Sequence, residues 1–433
     1  MKRVLIITYY WPPAGGGGVQ RWLKFAKYLP EYGYIPVIYT PENADYPVLD
    51  PSLAREIPPE AEVIRHPIWE PYRSFRKVTA VGDASVSAGF IRSEKKEGVK
   101  TRLARWMRGN LIIPDARRFW IAPSVKFLCA YLKDHPVDVI VSTGPPHSMH
   151  VIARMVSNRM NIRWLADFRD PWVNMDNMDK FSMSQFARAR HESLERMVLR
   201  KADAVITVSW HLSGMYEFIR NGSVGVVTNG YDHTDFEGHS SGEQDEFVIG
   251  HYGTFGEDRN PRALWRALES LVVELPELAG RLKVLLAGPT DVTVLEAARN
   301  TRFRDSVVHL PYLNHEEAIR LMISSSILLV ILNQNNNEEG RVTGKIFEYV
   351  ASRRPVLGIG SVTSDCARVI RETGCGRMIP FGDETNLRKF IYDVYKGQFQ
   401  MPDEEDARTE RFSRRALTGE LVKVLDELVP RKI

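Results

Sequence analysis

Cysteine is nearly absent: the 433 residues hold three, Cys129, Cys366 and Cys375. They are far apart in sequence, too few for a disulfide framework and at no metal-ligand spacing, so a reducing compartment fits best. Long hydrophobic runs are missing too. The apolar start at residues 4–10 stops at Pro12 and Pro13, and the cleanest later run, 327–332, has the length of a strand. Neither can span a bilayer or serve for export, so the expected location is the cytoplasm. No Asp-X-Asp occurs, and the histidines form no ligand pair of metalloprotease type, so no metal site is expected. There is no repeat at solenoid period and no low-complexity tract.

What is present is a globular composition, 44% hydrophobic and 26% charged, at a length that asks for two domains. The net charge of +4 is too mild on its own to imply nucleic acid. Short apolar runs alternate with amphipathic stretches, the pattern of parallel sheet with crossover helices. The expected strands are 4–8, 36–40, 61–64, 137–142, 163–168, 202–208 and 225–228, then 247–252, 282–287, 307–310, 327–332, 355–359 and 377–379. In the first helix Val19, Trp22, Leu23, Ala26 and Leu29 share one face, with Arg21, Lys24 and Lys27 pointing elsewhere. Asn314 and Glu317 form a capping-box pair before Ala318, Leu321 and Met322. The strand-then-glycine pattern starts twice, at residue 4 and at residue 247, with a small polar stretch at 238–246 between. The expected fold is α/β with two Rossmann-like domains facing across a cleft. Residues 1–228 would form the acceptor domain, 229–401 the donor domain, and 402–433 a terminal helical segment packing back toward the first. Residues 70–99 lack periodicity and read as a mobile loop.

Pro12-Pro13-Ala14-Gly15-Gly16-Gly17-Gly18 joins the first strand to the first helix. A simple tight turn needs one or two glycines, so Gly16, Gly17 and Gly18 point to close approach of a phosphate or substrate to backbone N–H groups. This is not the dinucleotide fingerprint, because Gln20 and Arg21 stand where its third glycine would fall. Glu42 after the second strand could still serve a ribose, which weakens a nicotinamide enzyme without excluding it.

Thr343-Gly344-Lys345-Ile346-Phe347-Glu348-Tyr349 is the most telling segment. Ile346, Tyr349 and Val350 bury one helical face, which puts Lys345 in the first turn, where a cation opposes the helix dipole. Lys345 before Glu348 is also the less favourable order for an intrahelical pair. A bound anion at that helix end accounts for both. The segment resembles the donor-binding element of glycosyltransferase family 4, roughly G-K-x-x-E-Y. Asn229-Gly230-Tyr231-Asp232 resembles that family's N-G-x-D signature, and Ala202-Asp203-Ala204-Val205 with Ser209 its A-D-x-V-x-x-x-S strand. The first Gly-rich loop and Gly253 fall where the family has glycines, so the likeness runs from residue 4 to about 355.

The resemblance implies a retaining, metal-independent transferase of the GT-B fold, moving a hexosyl or N-acetylhexosaminyl group in bacterial cell-surface polysaccharide synthesis. It implies that Glu348 takes the donor ribose hydroxyls, that Lys345 meets the diphosphate, and that Thr343 and Gly344 offer backbone donors there. Arg259 falls where the family carries a basic residue near the phosphates, and equally reads as a helix-start arginine before Asn260-Pro261. The donor is a nucleotide sugar used as substrate, UDP being the commoner base, with no cofactor. Two places depart from the family. The first glutamate of the pair would fall at Gly340, with Glu338 and Glu339 out of register. Where a histidine often follows the fifth strand, this chain has Asp167-Phe168-Arg169-Asp170. Charge at the carboxyl end of a parallel strand is where open sheets bind ligands, so Arg169 and Asp170 join Lys345 as catalytic candidates, against a structural ion pair. His147, in Gly144-Pro145-Pro146-His147, also points toward the cleft, though a lone histidine is more often structural. A nucleotide-sugar 2-epimerase and a non-catalytic binding subunit share the fold and stand as alternatives.

Charge is concentrated in one place. Residues 71–120 carry twelve basic and four acidic side chains, +8 against −4 for the rest. If 99–110 is helical, Val99, Leu103, Trp106 and Met107 share a face and Arg102, Arg105 and Arg108 another. That suits contact of residues 92–118 with the inner face of an anionic membrane, where a glycan or lipid-linked sugar could be the acceptor. A core-packed helix with solvated arginines is the competing reading. No nucleic-acid motif accompanies the charge, so nucleic acid is not an expected partner.

Overall fold

The computed structural model describes residues 1–70, 106–107, 109–173, 183–239, 245–334, 339–340, 342–403 and 406–429. The expected mobile loop apart from Glu70, most of the 99–110 helix and of the 92–118 segment, and Glu338 lie outside them. The chain divides into two units: Met1–Thr228 with Arg414–Ile433, and Asn229–Ser413.

The first unit is built on seven parallel strands: β1 (Lys2–Ile7), β2 (Tyr34–Pro41), β3 (Glu62–His66), β4 (Val139–Gly144), β5 (Trp164–Phe168), β6 (Ala204–Thr207) and β7 (Gly225–Val226). Their spatial order is β3-β2-β1-β4-β5-β6-β7. The second unit has six parallel strands: β8 (Phe247–Tyr252), β9 (Leu282–Ala287), β10 (Val307–Leu310), β11 (Ile327–Ile331), β12 (Val356–Ile359) and β13 (Gly376–Ile379), in the order β10-β9-β8-β11-β12-β13. Every strand expected from the sequence is present, with ends moved by no more than about two residues, the usual scatter of such boundaries. Central strands such as Ile327–Ile331 are buried on both faces because helices cover both, which is why they read as unbroken apolar runs.

Helix starts follow local chemistry. The side chain of Asn314 accepts from the N–H of Glu317, and the Glu317 carboxylate accepts from the N–H of Asn314, closing the capping box. Ser184, Ser209, Asp291 and Ser364 cap four other helices in the simpler one-way form.

The Gly17–Tyr28 helix departs from the expected amphipathic pattern. Arg21 and Lys24 are 1% and 3% exposed, not turned to solvent. The apolar residues Trp22, Leu23 and Ala26 share a core with Leu417, Leu421, Val422 and Leu425 of the terminal Arg414–Leu428 helix. The two cations are buried with partners: Lys24 meets Glu56 at 2.7 Å, and Arg21 meets Asp167 at 2.9 Å. Cys366 and Cys375 are buried, and burial pushes their thiols up to about 12 and about 11. No helix among the described residues is long and apolar enough to cross a membrane.

Candidate functional site

Open parallel sheets bind ligands where the strand order reverses, beyond the carboxyl ends of the strands. In the second unit that point lies between β8 and β11. Three loops meet there. Gly253 follows β8 with φ +110, and Gly288 follows β9 with φ +115, backbone that side chains avoid. A Cβ on Gly288 would stand 2.8 Å from the Gly253 carbonyl oxygen, so the two turns stack backbone on backbone, tied by the Gly253 N–H donating to Ala287 O at 2.6 Å. A Cβ on Gly253 itself would take the space filled by the ammonium and Cε of Lys345. The glycine exists here to make room for the lysine.

Lys345 opens the Lys345–Ala351 helix, which starts at Gly344 without a side-chain cap. Buried Ile346, Phe347, Tyr349 and Val350 anchor it. The Tyr349 hydroxyl accepts from the N–H of Tyr252 (3.2 Å) and donates to Leu329 O (3.4 Å), tying the helix start to β8 and β11. Among the described residues the Lys345 ammonium has no hydrogen-bond or ion-pair partner. Burial first, then the Arg259 charge, lower its pKa to about 8, against a raising effect of Glu348. Arg259 bridges the two switch-point loops, its Nε donating to Asn333 Oδ1 at 2.5 Å and its Nη1 to Thr254 O at 3.2 Å. The Thr343 hydroxyl is buried without a hydrogen-bond partner among the described residues. His251 Nδ1 meets Leu329 O at 3.0 Å, and burial, with Lys345 and Arg259, holds the ring at about 3. Cationic groups, an orphaned hydroxyl and an uncapped helix start thus converge beside Gly253, an arrangement suited to a diphosphate.

The structure therefore brings Gly253, Arg259, Thr343, Gly344, Lys345 and Glu348 together. Glu339 is used otherwise: its carboxylate accepts from the hydroxyls of Thr363 (2.8 Å) and Ser361 (3.2 Å), holding the loop after β12. Tyr349 takes the buried place that the sequence gives it, whereas an asparagine after a strand and a buried histidine, Asn333 and His251, carry no signature of their own.

In the first unit the order reverses between β1 and β4. Gly16 has φ +83, and nothing comes within 4 Å of a Cβ built on Gly16 or Gly17, so that stretch of backbone is open. Gly18 is packed instead, with the Tyr10 ring 3.2 Å from where its Cβ would be. Beyond β4, His147 is 5% exposed and stacked on Trp172 at 4.4 Å, and neither ring nitrogen has a hydrogen-bond partner among the described residues. Burial, then His150 and Arg169, drive its pKa far below the ordinary value, so the ring is neutral. Asp167 and Arg169, expected as one charged cluster, separate into two roles. The Asp167 carboxylate accepts from Arg21 Nη2 (2.9 Å), Trp22 Nε1 (2.7 Å) and the Thr143 hydroxyl (2.9 Å), while Arg21 also donates to the carbonyls of Val227 and Thr228. Burial raises the Asp167 pKa, but Arg21 and the Trp22 N–H outweigh it and hold the carboxyl below its usual range. Arg169 donates to the carbonyls of Gly18 (2.6 Å), Gly144 and Pro145, and Asp170 lies exposed beside it. No group of three or more His, Cys, Asp or Glu among the described residues is placed to hold a metal ion.

No family model matches the chain, and no curated protein matches it in sequence. Solved structures do match over nearly the full length. The chain is similar to sucrose-phosphate synthase from Thermosynechococcus elongatus, with 14% identity, TM-score 0.61 and 99% of each chain covered. It is similar to WaaG, a glycosyltransferase involved in lipopolysaccharide biosynthesis, with 14% identity, TM-score 0.52, and 97% of this chain and 99% of that one covered. A protein described as a UDP-N-acetylglucosamine 2-epimerase from Listeria monocytogenes matches at 10% identity and TM-score 0.54, over 99% of this chain and 96% of that one. At these identities the likeness is one of fold. The chain has the GT-B fold: two parallel-sheet Rossmann-like domains with alternating strands and helices.

Proposed function

We propose that this protein is a retaining, metal-independent glycosyltransferase that takes a sugar from a nucleoside-diphosphate donor, UDP-linked in the first instance. The observation that carries the reading is the Lys345 ammonium, without a hydrogen-bond or ion-pair partner among the described residues and seated over Gly253 and beside Arg259 at an uncapped helix start. In this reading Lys345 and Arg259 stabilise the departing diphosphate, which gains charge as the glycosidic bond breaks. Thr343 and Gly344 complete the phosphate contacts, and Glu348 accepts from the ribose hydroxyls. The loops at Gly16, Gly17, Gly18, His147, Arg169 and Asp170 form the acceptor side. The acceptor is a glycan or lipid-linked sugar of cell-surface synthesis. The +8 charge of residues 71–120 supports peripheral contact with an anionic membrane, and sedimentation with anionic but not neutral vesicles at low salt is the expected sign of it.

The test is to incubate the protein in EDTA with UDP-glucose or UDP-N-acetylglucosamine, with and without octyl glucoside as acceptor probe. Acceptor-dependent release of UDP is expected. Similarity to the epimerase fold keeps a second reading, and conversion of UDP-N-acetylglucosamine to its 2-epimer without acceptor would establish that one instead. Binding without turnover of any kind would point to a non-catalytic subunit. Activity lost in EDTA and restored by magnesium would contradict the metal-independent assignment.

A further inference from the structure

We infer that Arg169 is a positioning residue, a guanidinium clamp that locks the glycine-rich start of the Gly17–Tyr28 helix to the Gly144-Pro145-Pro146-His147 turn so that both present one rigid surface. The inference rests on the proposal that these loops form the acceptor side. Three nitrogens of the fork face three different carbonyls: Nη1 donates to Gly18 O at 2.6 Å, Nη2 to Pro145 O, and Nε to Gly144 O at 3.4 Å. The backbone N–H of Arg169 adds a second bond to Gly144 O at 3.0 Å. One residue just after β5 therefore ties the start of the helix that follows β1 to the turn that follows β4, and these two strands flank the point where the order reverses.

Two of the three carbonyls belong to glycines, Gly144 with no room for a side chain and Gly18 closely packed. A Cβ on Gly144 would stand 2.6 Å from His150 Nε2 and 2.9 Å from His147 Nδ1, and one on Gly18 3.2 Å from the Tyr10 ring. The turns are thus stripped of side chains where they close on the guanidinium. Carbonyl acceptors carry no full negative charge, and Asp170 with buried Asp167 supplies the charge that offsets Arg169. Gly16 and Gly17, just beyond the clamped residue, remain open backbone. A planar fork suits this task, because a lysine ammonium is a point donor that cannot span carbonyls set around three nitrogens.

Hydrogen exchange, UDP binding and steady-state kinetics of Arg169→Ala and Arg169→Lys test the clamp. Both variants are expected to exchange the amides of residues 16–19 and 147–150 faster than the wild type, while UDP affinity stays unchanged. Free guanidinium at low millimolar concentration should restore protection in Arg169→Ala, and ammonium should not. With UDP-glucose and octyl glucoside, turnover should fall on the order of 100-fold, the cost of a misplaced reacting group, with KM for UDP-glucose unaltered. Arg169→Lys keeps the buried charge and stands in if the alanine variant does not fold. Wild-type exchange and wild-type kinetics in the lysine variant would overturn the clamp, as would loss of UDP affinity in either variant. A wild-type protein that turns over no nucleotide sugar would count against the transferase reading alone, since the exchange data still decide the clamp.

Discussion

Raising the pH from 7 to 9 in the presence of UDP should reveal Lys345 directly. It is the group of the described donor-side cluster that titrates in that interval, its pKa lowered from 10.5 to about 8 by burial and Arg259. His251, held at about 3, stays neutral, and Tyr252 and Tyr349, both pushed upward by burial, stay protonated. A diphosphate placed against the ammonium favours its charged form and moves the pKa back up. Free Lys345 is about nine-tenths charged at pH 7 and about one-tenth at pH 9, while a phosphate with pKa near 6 is ionised at both. At pH 7 the roughly 0.1 proton that Lys345 gains is offset by the roughly 0.1 that the phosphate loses, so net uptake should rise from near zero at pH 7 to about 0.9 at pH 9, and affinity should fall about tenfold between them. The same shift governs stability without ligand. The folded pKa lies below the unfolded one, so the unfolded chain holds the extra proton between about pH 8 and 10.5 and stability rises across that window, by on the order of 3 kcal/mol. Titration calorimetry with UDP in two buffers of different ionisation enthalpy measures the uptake. Equal uptake at both pH values, or uptake that persists in Lys345→Met, would refute the reasoning.

Two substitutions extend the account. Gly253→Ala places a methyl group where the Lys345 ammonium lies and forces a side chain to φ +110; it should cost about 1–3 kcal/mol of stability and expel the lysine, and unchanged UDP affinity would contradict it. Asp167→Asn leaves Arg21 buried without its counter-ion and should cost about 3–5 kcal/mol in urea unfolding, with a loss below about 1 kcal/mol showing that the pair is not structural.

The strands were legible because parallel strands covered on both faces are unbroken apolar runs, and their boundaries moved little. The donor-side cluster was legible for a different reason: Lys345 in a first turn is locally unfavourable, and that conflict marks a site before any partner is seen. Burial of charge was not legible. Arg21 and Lys24 look like solvent residues because the groups that receive them lie far off in the chain, Asp167 with the carbonyls of Val227 and Thr228 for the arginine and Glu56 for the lysine. Asp167 and Arg169 share one side of a strand end, yet their partners come from turns far off in sequence, so alternation alone could not separate a buried ion pair from a loop clamp. Glu339 sits one residue from the expected glutamate position, and only the hydroxyls of Ser361 and Thr363 reveal where its carboxylate goes.

The central claim is that the loops beside Gly253 and Lys345 bind a nucleoside diphosphate, and calorimetric titration of UDP into wild-type protein and Lys345→Ala at pH 7 tests it most directly. Removing a charged hydrogen-bond donor is expected to cost about 1.5–3 kcal/mol, a roughly 10- to 150-fold weaker Kd. Equal affinity in the two proteins would contradict the account.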